Sequence, residues 1–460
     1  MRLHASILIA TISLPLAAVA QTRSPLPNAP APLLMAQATV PSAAQNSTGS
    51  FATPTLTRQQ AEAIAVRQNP HISVGSLLAM AQHQVVRQAQ SHYMPSLNGD
   101  ITAVDGNDGS RISAGYLGAS RVIQHAGAGA TVSQLLTDFG HTHNLVLSQE
   151  LEEKAQNANA LATTEDIVLA ADQAFYSALE AQALVHVAAQ TVNTRQTTDN
   201  QVRQLTHNKL KSTLDLSFAD VDLSQGKLLQ LDAQNNADSA MAALDNILGL
   251  DHHVQFTLVE ENSAAQPPPD AAQPLIQLAL RQRPDLQALD YNQQSASKLA
   301  RAQREQMLPS VSALATAGSV PVRSDQFYTS NWWGAAGVNM SIPIFNGFLY
   351  SAEAKEAAIH AEADSEQARA LRDQIVRDVR TAWLESRTAW QRVAVTQQLV
   401  NQANLALQLA QTRYKLGLSS IVELSQAQLQ QTQAAIGNTN AQYQYRLSLA
   451  TLNYETGTQP

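Results

Sequence analysis

Histidine is the side chain here best suited to hold a metal, and two close pairs, His141 with His143 and His252 with His253, invite that reading. Ligands that share one ion on a helix sit three or four residues apart, and side chains two apart point in different directions. His141 and His143 therefore predict no metal centre. Ser, His and Asp are all present, but no spacing recommends a nucleophilic triad, and no Gly-rich phosphate loop, nucleophile elbow or metalloprotease motif occurs. The absence of cysteine from all 460 residues removes disulfides, thiol chemistry and any lipid-bearing N-terminal cysteine. A net charge of −8 argues against a nucleic-acid surface, which needs clustered Lys and Arg. The expectation is a chain with no catalytic residue, no cofactor and no metal, and so not an enzyme.

What the chain offers instead is length and repetition. Only 5% of its residues are aromatic and 14% charged, while Ala and Gln abound, a composition that builds poor globular cores but lets helices form and approach closely. Arg2, an apolar run over residues 7–18 and the small residues Ala18-Val19-Ala20 before Gln21 read as a cleaved secretory signal, residues 1–20. The run is shorter than the roughly 20 residues a membrane-spanning helix needs. Residues 21–54, rich in Pro, Ala and Ser with no apolar period, read as a flexible lead-in.

The remainder is written twice. Ile64-Ala65-Val66-Arg67-Gln68-Asn69-Pro70 matches Leu278-Ala279-Leu280-Arg281-Gln282-Arg283-Pro284, and Met94-Pro95-Ser96-Leu97 matches Leu308-Pro309-Ser310-Val311, at an offset of 214 residues. Later the offset is 208: Ala174-Phe175 pairs with Ala382-Trp383, Asp215-Leu216 with Glu423-Leu424, and Gly249 with Gly457. The change falls where the first copy carries a longer loop near residues 105–110. A period above 200 residues is too long for a solenoid unit and marks a duplicated domain. The reading is a first repeat over residues 55–249, a linker over 250–273 containing Gln266-Pro267-Pro268-Pro269-Asp270, and a second repeat over 274–457.

Each copy predicts the same elements in the same order. A helix (57–92, then 274–307) stops before a Pro; a strand pair follows (97–104 with 127–136, then 311–319 with 333–344); a Pro-free helix covers 141–205 and 348–415; a last helix covers 212–248 and 419–456. The uninterrupted helix spans roughly 100 Å, and the first and last helices end to end total about 110 Å. Rods of one height, two continuous and two broken, suit the wall of a tube. Val393, Val400, Leu407 and Tyr414, with Ala403 and Ala410 beside them, form a seven-residue seam that predicts left-handed coiled packing. The fold class is thus mainly α with a small β part, a duplicated long-helix coiled-coil bundle plus four strands per chain.

The strands carry a membrane signal. In 333–344, Ala336, Val338, Met340, Ile342 and Ile344 alternate with Gly337, Asn339, Ser341 and Pro343, and Phe327, Tyr328, Trp332 and Trp333 gather at the start as in an interfacial girdle. Four strands cannot close a barrel, and an open edge leaves unpaired backbone groups in lipid. Two chains would close eight strands filled by their own side chains; three would close twelve around a lumen, and export favours three.

Three stretches resemble the TolC family of outer-membrane efflux proteins. Ser133-Gln134-Leu135-Leu136-Thr137-Asp138-Phe139-Gly140 and Ser341-Ile342-Pro343-Ile344-Phe345-Asn346-Gly347 look like that family's strand-to-long-helix junctions. Arg413-Tyr414-Lys415-Leu416-Gly417-Leu418-Ser419-Ser420-Ile421-Val422-Glu423-Leu424 is similar to its periplasmic helix-turn-helix tip. The resemblance implies a homotrimer in the outer membrane of a Gram-negative bacterium, with a twelve-stranded barrel in lipid and a long periplasmic tunnel. It also implies a periplasmic adaptor and an inner-membrane pump as partners, and the export of small molecules or proteins by tripartite efflux or type I secretion. Carried over by position, Gly417, Leu418 and Ser419 form the adaptor-binding turn, with Lys209, Leu210 and Lys211 as the first-copy equivalent, where Lys209 replaces the usual glycine. Glu423 takes the family's constriction-acid position, and Gln426 stands where some relatives carry a second acid. Asp215 and Tyr414 are candidates for contacts that hold the tip closed. The alternative is a soluble periplasmic coiled-coil protein whose hairpins are ordinary caps.

Overall fold

The computed structural model describes residues 55–104, 111–113, 119–121, 125–250, 256–260, 266–319 and 332–459. The signal and lead-in over 1–54, the loop over 105–110, the pair His252 and His253, and Phe327 and Tyr328 lie outside the described residues. The first half runs β1 (Thr55–Leu56), α1 (Arg58–Gln68), α2 (Pro70–Gln90), a short 3-10 turn, β2 (Ser96–Val104), β3 (Arg111–Ser113), β4 (Ala119–Arg121), β5 (His125–Thr137), α3 (His141–His207) and α4 (Thr213–Ile247). The second runs β6 (Thr257–Leu258), α5 (Ala272–Gln282), α6 (Pro284–Glu305), β7 (Ser310–Ser319), β8 (Trp333–Ser341), α7 (Leu349–Lys415) and α8 (Ile421–Glu455).

The two halves match in length as well as in order, since α3 and α7 have 67 residues each and α4 and α8 have 35 each. The first helix of each half is broken where a single helix was expected. Asn69 and Arg283 precede a proline and take extended backbone, ψ 125° and 122°, because the proline ring crowds a helical residue before it. Proline then serves as the first residue of α2 and α6, where its missing N–H costs nothing. Asn69 secures the break twice, accepting from His71 N at 2.9 Å and donating to Ile247 O at 2.9 Å.

The second break is ionic. Arg283, which is buried, donates to both Asp285 oxygens at 3.1 and 2.7 Å and to Glu455 at 2.5 Å, with its guanidinium 5.6 Å from the Tyr454 ring centre. Burial would drive its pKa down, and the bonds from Asp285 and Glu455 outweigh that and raise it. Beneath each break a glycine closes the last helix of its half: Gly249 and Gly457 have φ of 71° and 66°. A Cβ on Gly249 would stand 2.8 Å from the Gln68 carbonyl oxygen.

Burial divides the paired rods unequally. Helix α3 packs on α2 and α4 and also on α6 and α8, whereas α7 packs on α6 and α8 with the short α5 laid against it. Nineteen residues of α3 are buried and only ten of α7, so α7 is an edge of the helical layer. The seam ending at Leu407, Ala410 and Tyr414 packs on Ile421, Leu424 and Ala427 of α8. Glu180 of α3 is a half-buried carboxylate whose pKa is raised by burial. A raised folded-state value means the ionised form opposes folding, so its favourable share exists below the ordinary value of 4.5 and is lost as pH rises. Glu180→Gln is therefore expected to melt higher than the parent at pH 7.5, with the gap closing near pH 4.5. A gap independent of pH would show that the charge is not the cause.

No helix among the described residues is long and apolar enough to cross a membrane. The four-stranded antiparallel sheet, in the order β2-β5-β7-β8, is different in kind. Residues directly opposite on neighbouring strands share a face. The register Leu97↔Val132, Val132↔Ala315 and Ala315↔Ala336 sets one face, which also carries Ile101, Val311, Val338 and Met340. The register Asn98↔Thr131, Thr131↔Thr316 and Ser312↔Asn339 sets the other, which also carries Asp100. Thr131 Oγ1 donates to Thr316 Oγ1 at 3.4 Å across that polar face. The apolar face is uncovered: Ile101 is 89% exposed and Val338 68%. Gln134, a polar residue on it, sits at the helical end and spends its amide on the Tyr93 and Leu135 carbonyls at 2.9 and 2.7 Å.

Candidate functional site

The two helix hairpins, α3 with α4 and α7 with α8, end side by side in one apolar cluster. Val202, Ala219, Tyr414, Ile421 and Leu424 meet there, one or more from each of the four helices. Both turns are built alike. In the second, Gly417 takes φ 74°, its N–H donates to Tyr414 O at 3.0 Å and Leu418 N donates to Arg413 O at 2.9 Å. In the first, Lys209 N donates to Thr206 O at 2.9 Å and Leu210 N to Leu205 O at 2.8 Å. This pattern ends a helix through one left-handed residue, normally glycine. Lys209 holds that conformation at φ 58°, so the turn survives the loss of its glycine at the cost of backbone strain. Lys209→Gly is expected to stabilise the protein by about 1 kcal/mol, seen as a higher Tm in detergent. An unchanged or lower Tm would mean that the lysine side chain offsets the strain.

Each turn leads into a capped helix. Ser212 Oγ accepts from Asp215 N at 3.1 Å and Ser420 Oγ accepts from Glu423 N at 3.3 Å, which places both acids in a first helical turn, where the helix dipole favours negative charge. Glu423 also pairs with Arg413 Nε at 3.1 Å across its own hairpin, and both side chains remain about half exposed. Gln426 lies three residues further along and is exposed, on the same side of α8. Leu210, Leu416 and Leu418 are exposed at the turns, as are Lys209 and Gly417, with Lys211 and Ser419 partly covered.

Tyr414, Lys211 and Asp215 come together. The Lys211 ammonium lies 4.6 Å from the Tyr414 ring centre, a cation–π contact that ties the first turn to α7. Burial, then the charge of Asp215, raises the phenol pKa. The Tyr414 hydroxyl is sealed from solvent and has no hydrogen-bond partner among the described residues, so the ring and not the hydroxyl makes the contact.

A set of polar ties above the tip was not foreseen from the sequence. Gln428 Nε2 donates to Thr198 Oγ1 at 2.8 Å, Ser425 Oγ donates to the Asp222 carboxylate, and Arg195 donates to Asp222 O at 2.7 Å. Arg195 is buried, and burial lowers its pKa against the opposing effect of Asp222. The first two bonds join α8 to α3 and α4, and the third ties α3 to α4. Their signal was present, since Gln428 and Thr432 continue the stripe of Ile421 and Leu424 where an apolar residue belongs. Removing one partner of a buried pair leaves the other unsatisfied, which makes such ties specific as well as cohesive.

At the opposite end of the rods, strand passes to helix through left-handed residues: Phe139 and Gly140, then Gly347 and Phe348. Asp138 accepts from Thr142 N at 2.8 Å, Thr142 Oγ1 at 2.5 Å and Gly140 N at 3.3 Å. Burial raises its pKa, but these bonds and His141 prevail and hold it low. His141 Nδ1 contacts the Ala302 carbonyl at 2.8 Å, while His143 faces Tyr93 OH at 3.5 Å, so the two imidazoles serve different neighbours.

Comparison with known proteins agrees with this geometry. The model of the family described as outer membrane efflux protein matches residues 63–250 and again 275–458. Outer membrane protein TolC of Salmonella enteritidis is 21% identical over 408 residues, covering 85% of this chain and 79% of that protein. Among solved structures, VceC of Vibrio cholerae superposes with a TM-score of 0.74 at 19% identity, covering 87% of this chain and 96% of that one. The open state of the MtrE channel of Neisseria gonorrhoeae gives 0.72 at 18% identity, covering 88% and 91%. A duplicated rod-and-hairpin chain matched twice over by one family model belongs to the outer membrane efflux protein family, whose members are channels of the outer membrane and not enzymes.

Proposed function

We propose that three copies close their sheets into a twelve-stranded barrel and their helices into a periplasmic tunnel. On this reading the protein is the outer-membrane channel of a tripartite efflux or type I secretion system, working with a periplasmic adaptor and an inner-membrane pump. Residues 55–249 and 274–457 are the two repeats that build the wall. Glu423, Asp215, Tyr414 and Gln426 belong to the constriction, and the two turns at Lys209, Leu210, Lys211 and at Gly417, Leu418, Ser419 meet the adaptor.

The two-faced sheet carries this reading. A cap on a soluble coiled coil would turn its apolar face onto a core; here that face is open across four strands and its reverse is mostly polar, Leu135, Leu314 and Trp333 apart, as lipid outside and water inside demand. Open edges support closure by further copies. Strands β2 and β8 each lack a neighbour on one side within the sheet. Exposed apolar residues at coiled-coil spacing run along α4 (Leu214, Phe218, Val221, Leu228) and along the same level of α7 (Val395, Leu399, Leu409), which suits α4 of one copy packing on α7 of the next. The test is fractionation of the mature protein with electrophoresis before and after heating. Membrane-bound material running as a heat-sensitive trimer is expected, and a stably folded monomer in detergent-free buffer would leave the soluble alternative standing.

A further inference from the structure

We infer that Asp100 forms a second cation filter at the membrane end of the duct, an inference that rests on the trimeric-barrel reading above. Asp100 is the single Asp, Glu, Lys or Arg in β2, β5, β7 and β8. It is the fifth of nine residues in β2, exposed on the polar face, and its position opposite Gly129 leaves no side chain across the ladder to cover it. Thr102 beside it on the same face lies opposite Gly127, so the wall around the carboxylate is bare on that side. Strand β2 is a sheet edge, and in a closed barrel its missing neighbour is β8 of the next copy, whose polar face offers Asn339, Ser341 and Gly337. Strands β2, β5, β7 and β8 contribute no Lys or Arg to face the carboxylate. Halfway along a strand, a charge on the lipid side would be costly, which independently sends this face to the lumen.

Symmetry then sets three carboxylates at one height. Twelve strands about 4.8 Å apart and tilted about 40° enclose a cylinder of radius about 12 Å. Three carboxylate charges at that radius enrich K+ over Cl− on the axis about tenfold at an ionic strength of about 0.01 M, and by a smaller factor at about 0.1 M, where screening reaches about 10 Å. Glu423, the acid expected at the far constriction, differs in having Arg413 at 3.1 Å. The two rings are separated by a rod of roughly 100 Å, many screening lengths, so each sets the potential of its own section of the pore independently of the other.

The experiment is the K+/Cl− permeability ratio from reversal potentials in planar bilayers under a KCl gradient, for Glu423→Gln and for Glu423→Gln combined with Asp100→Asn. Cation preference should persist in the first and fall several-fold in the second, and Asp100→Lys should reverse it, with all preferences shrinking as salt rises. Channels whose ratio is the same with and without Asp100 would remove the filter and leave the barrel intact. Absence of any channel from the parent protein would overturn both. A heat-sensitive trimer band confirms assembly of each variant, and if Asp100→Lys does not assemble, the isosteric Asp100→Asn decides alone.

Discussion

Val338→Arg is expected to prevent stable insertion in the outer membrane, while Asn339→Arg, one residue along, leaves the protein there. Val338 lies opposite Ala313 on the apolar face and Asn339 opposite Ser312 on the polar one, both in the half of β8 nearer the helices. An arginine turned to lipid costs up to about 2–4 kcal/mol, less toward an interface, and a trimer would incur it three times. The same side chain turned to water costs little and alters only conductance. The readout is the amount of trimer in the membrane fraction. Equal loss or equal tolerance of the two variants would mean that the faces have been assigned wrongly.

Gly249→Val should destabilise the chain far more than Gly417→Val. Both glycines are left-handed, φ 71° and 74°, so each substitution carries a backbone penalty of about 1–2 kcal/mol, and more for a β-branched residue. Around Gly417 an added Cβ would find nothing within 4 Å, whereas at Gly249 it would meet backbone, the Gln68 oxygen at 2.8 Å and the Gln68 carbon at 3.0 Å. Backbone at a helix break cannot swing aside as a side chain can, so overpacking adds about 1–3 kcal/mol. Thermal melts of the two variants separate the terms. Equal losses would show that the close approach between the end of α4 and the break after α1 relaxes freely.

Much of this architecture was legible because its signals are periodic and long. The rods announced themselves by running without proline, and the observed ends of α3 and α7 fall within two residues of the expected ones. The strand alternation in 333–341 became a complete apolar face only when register aligned it with Leu97, Ile101 and Val311, which no single strand reveals. The breaks at Pro70 and Pro284 are hard to read from sequence because proline is tolerated at a first helical position, and periodicity on both sides continues through it. The site was less readable. Arg283 and Glu455 are 172 residues apart, and Asp222 and Ser425 are 203 apart; only the duplicated rods bring them together. Lys209 misleads in the opposite sense, since the residue type argues against a turn that the hairpin imposes.

The equality of the rods restricts how such a chain can change in evolution. With 67 residues in both α3 and α7 and 35 in both α4 and α8, a heptad deleted from one rod would keep its seam in phase but leave it about 10 Å shorter than neighbours that kept theirs. Both turns would then end at different heights. A longer or shorter reach across the periplasm therefore requires coordinated edits in all four helices, whereas the sheet loops, where the two repeats already differ by six residues, can vary one at a time.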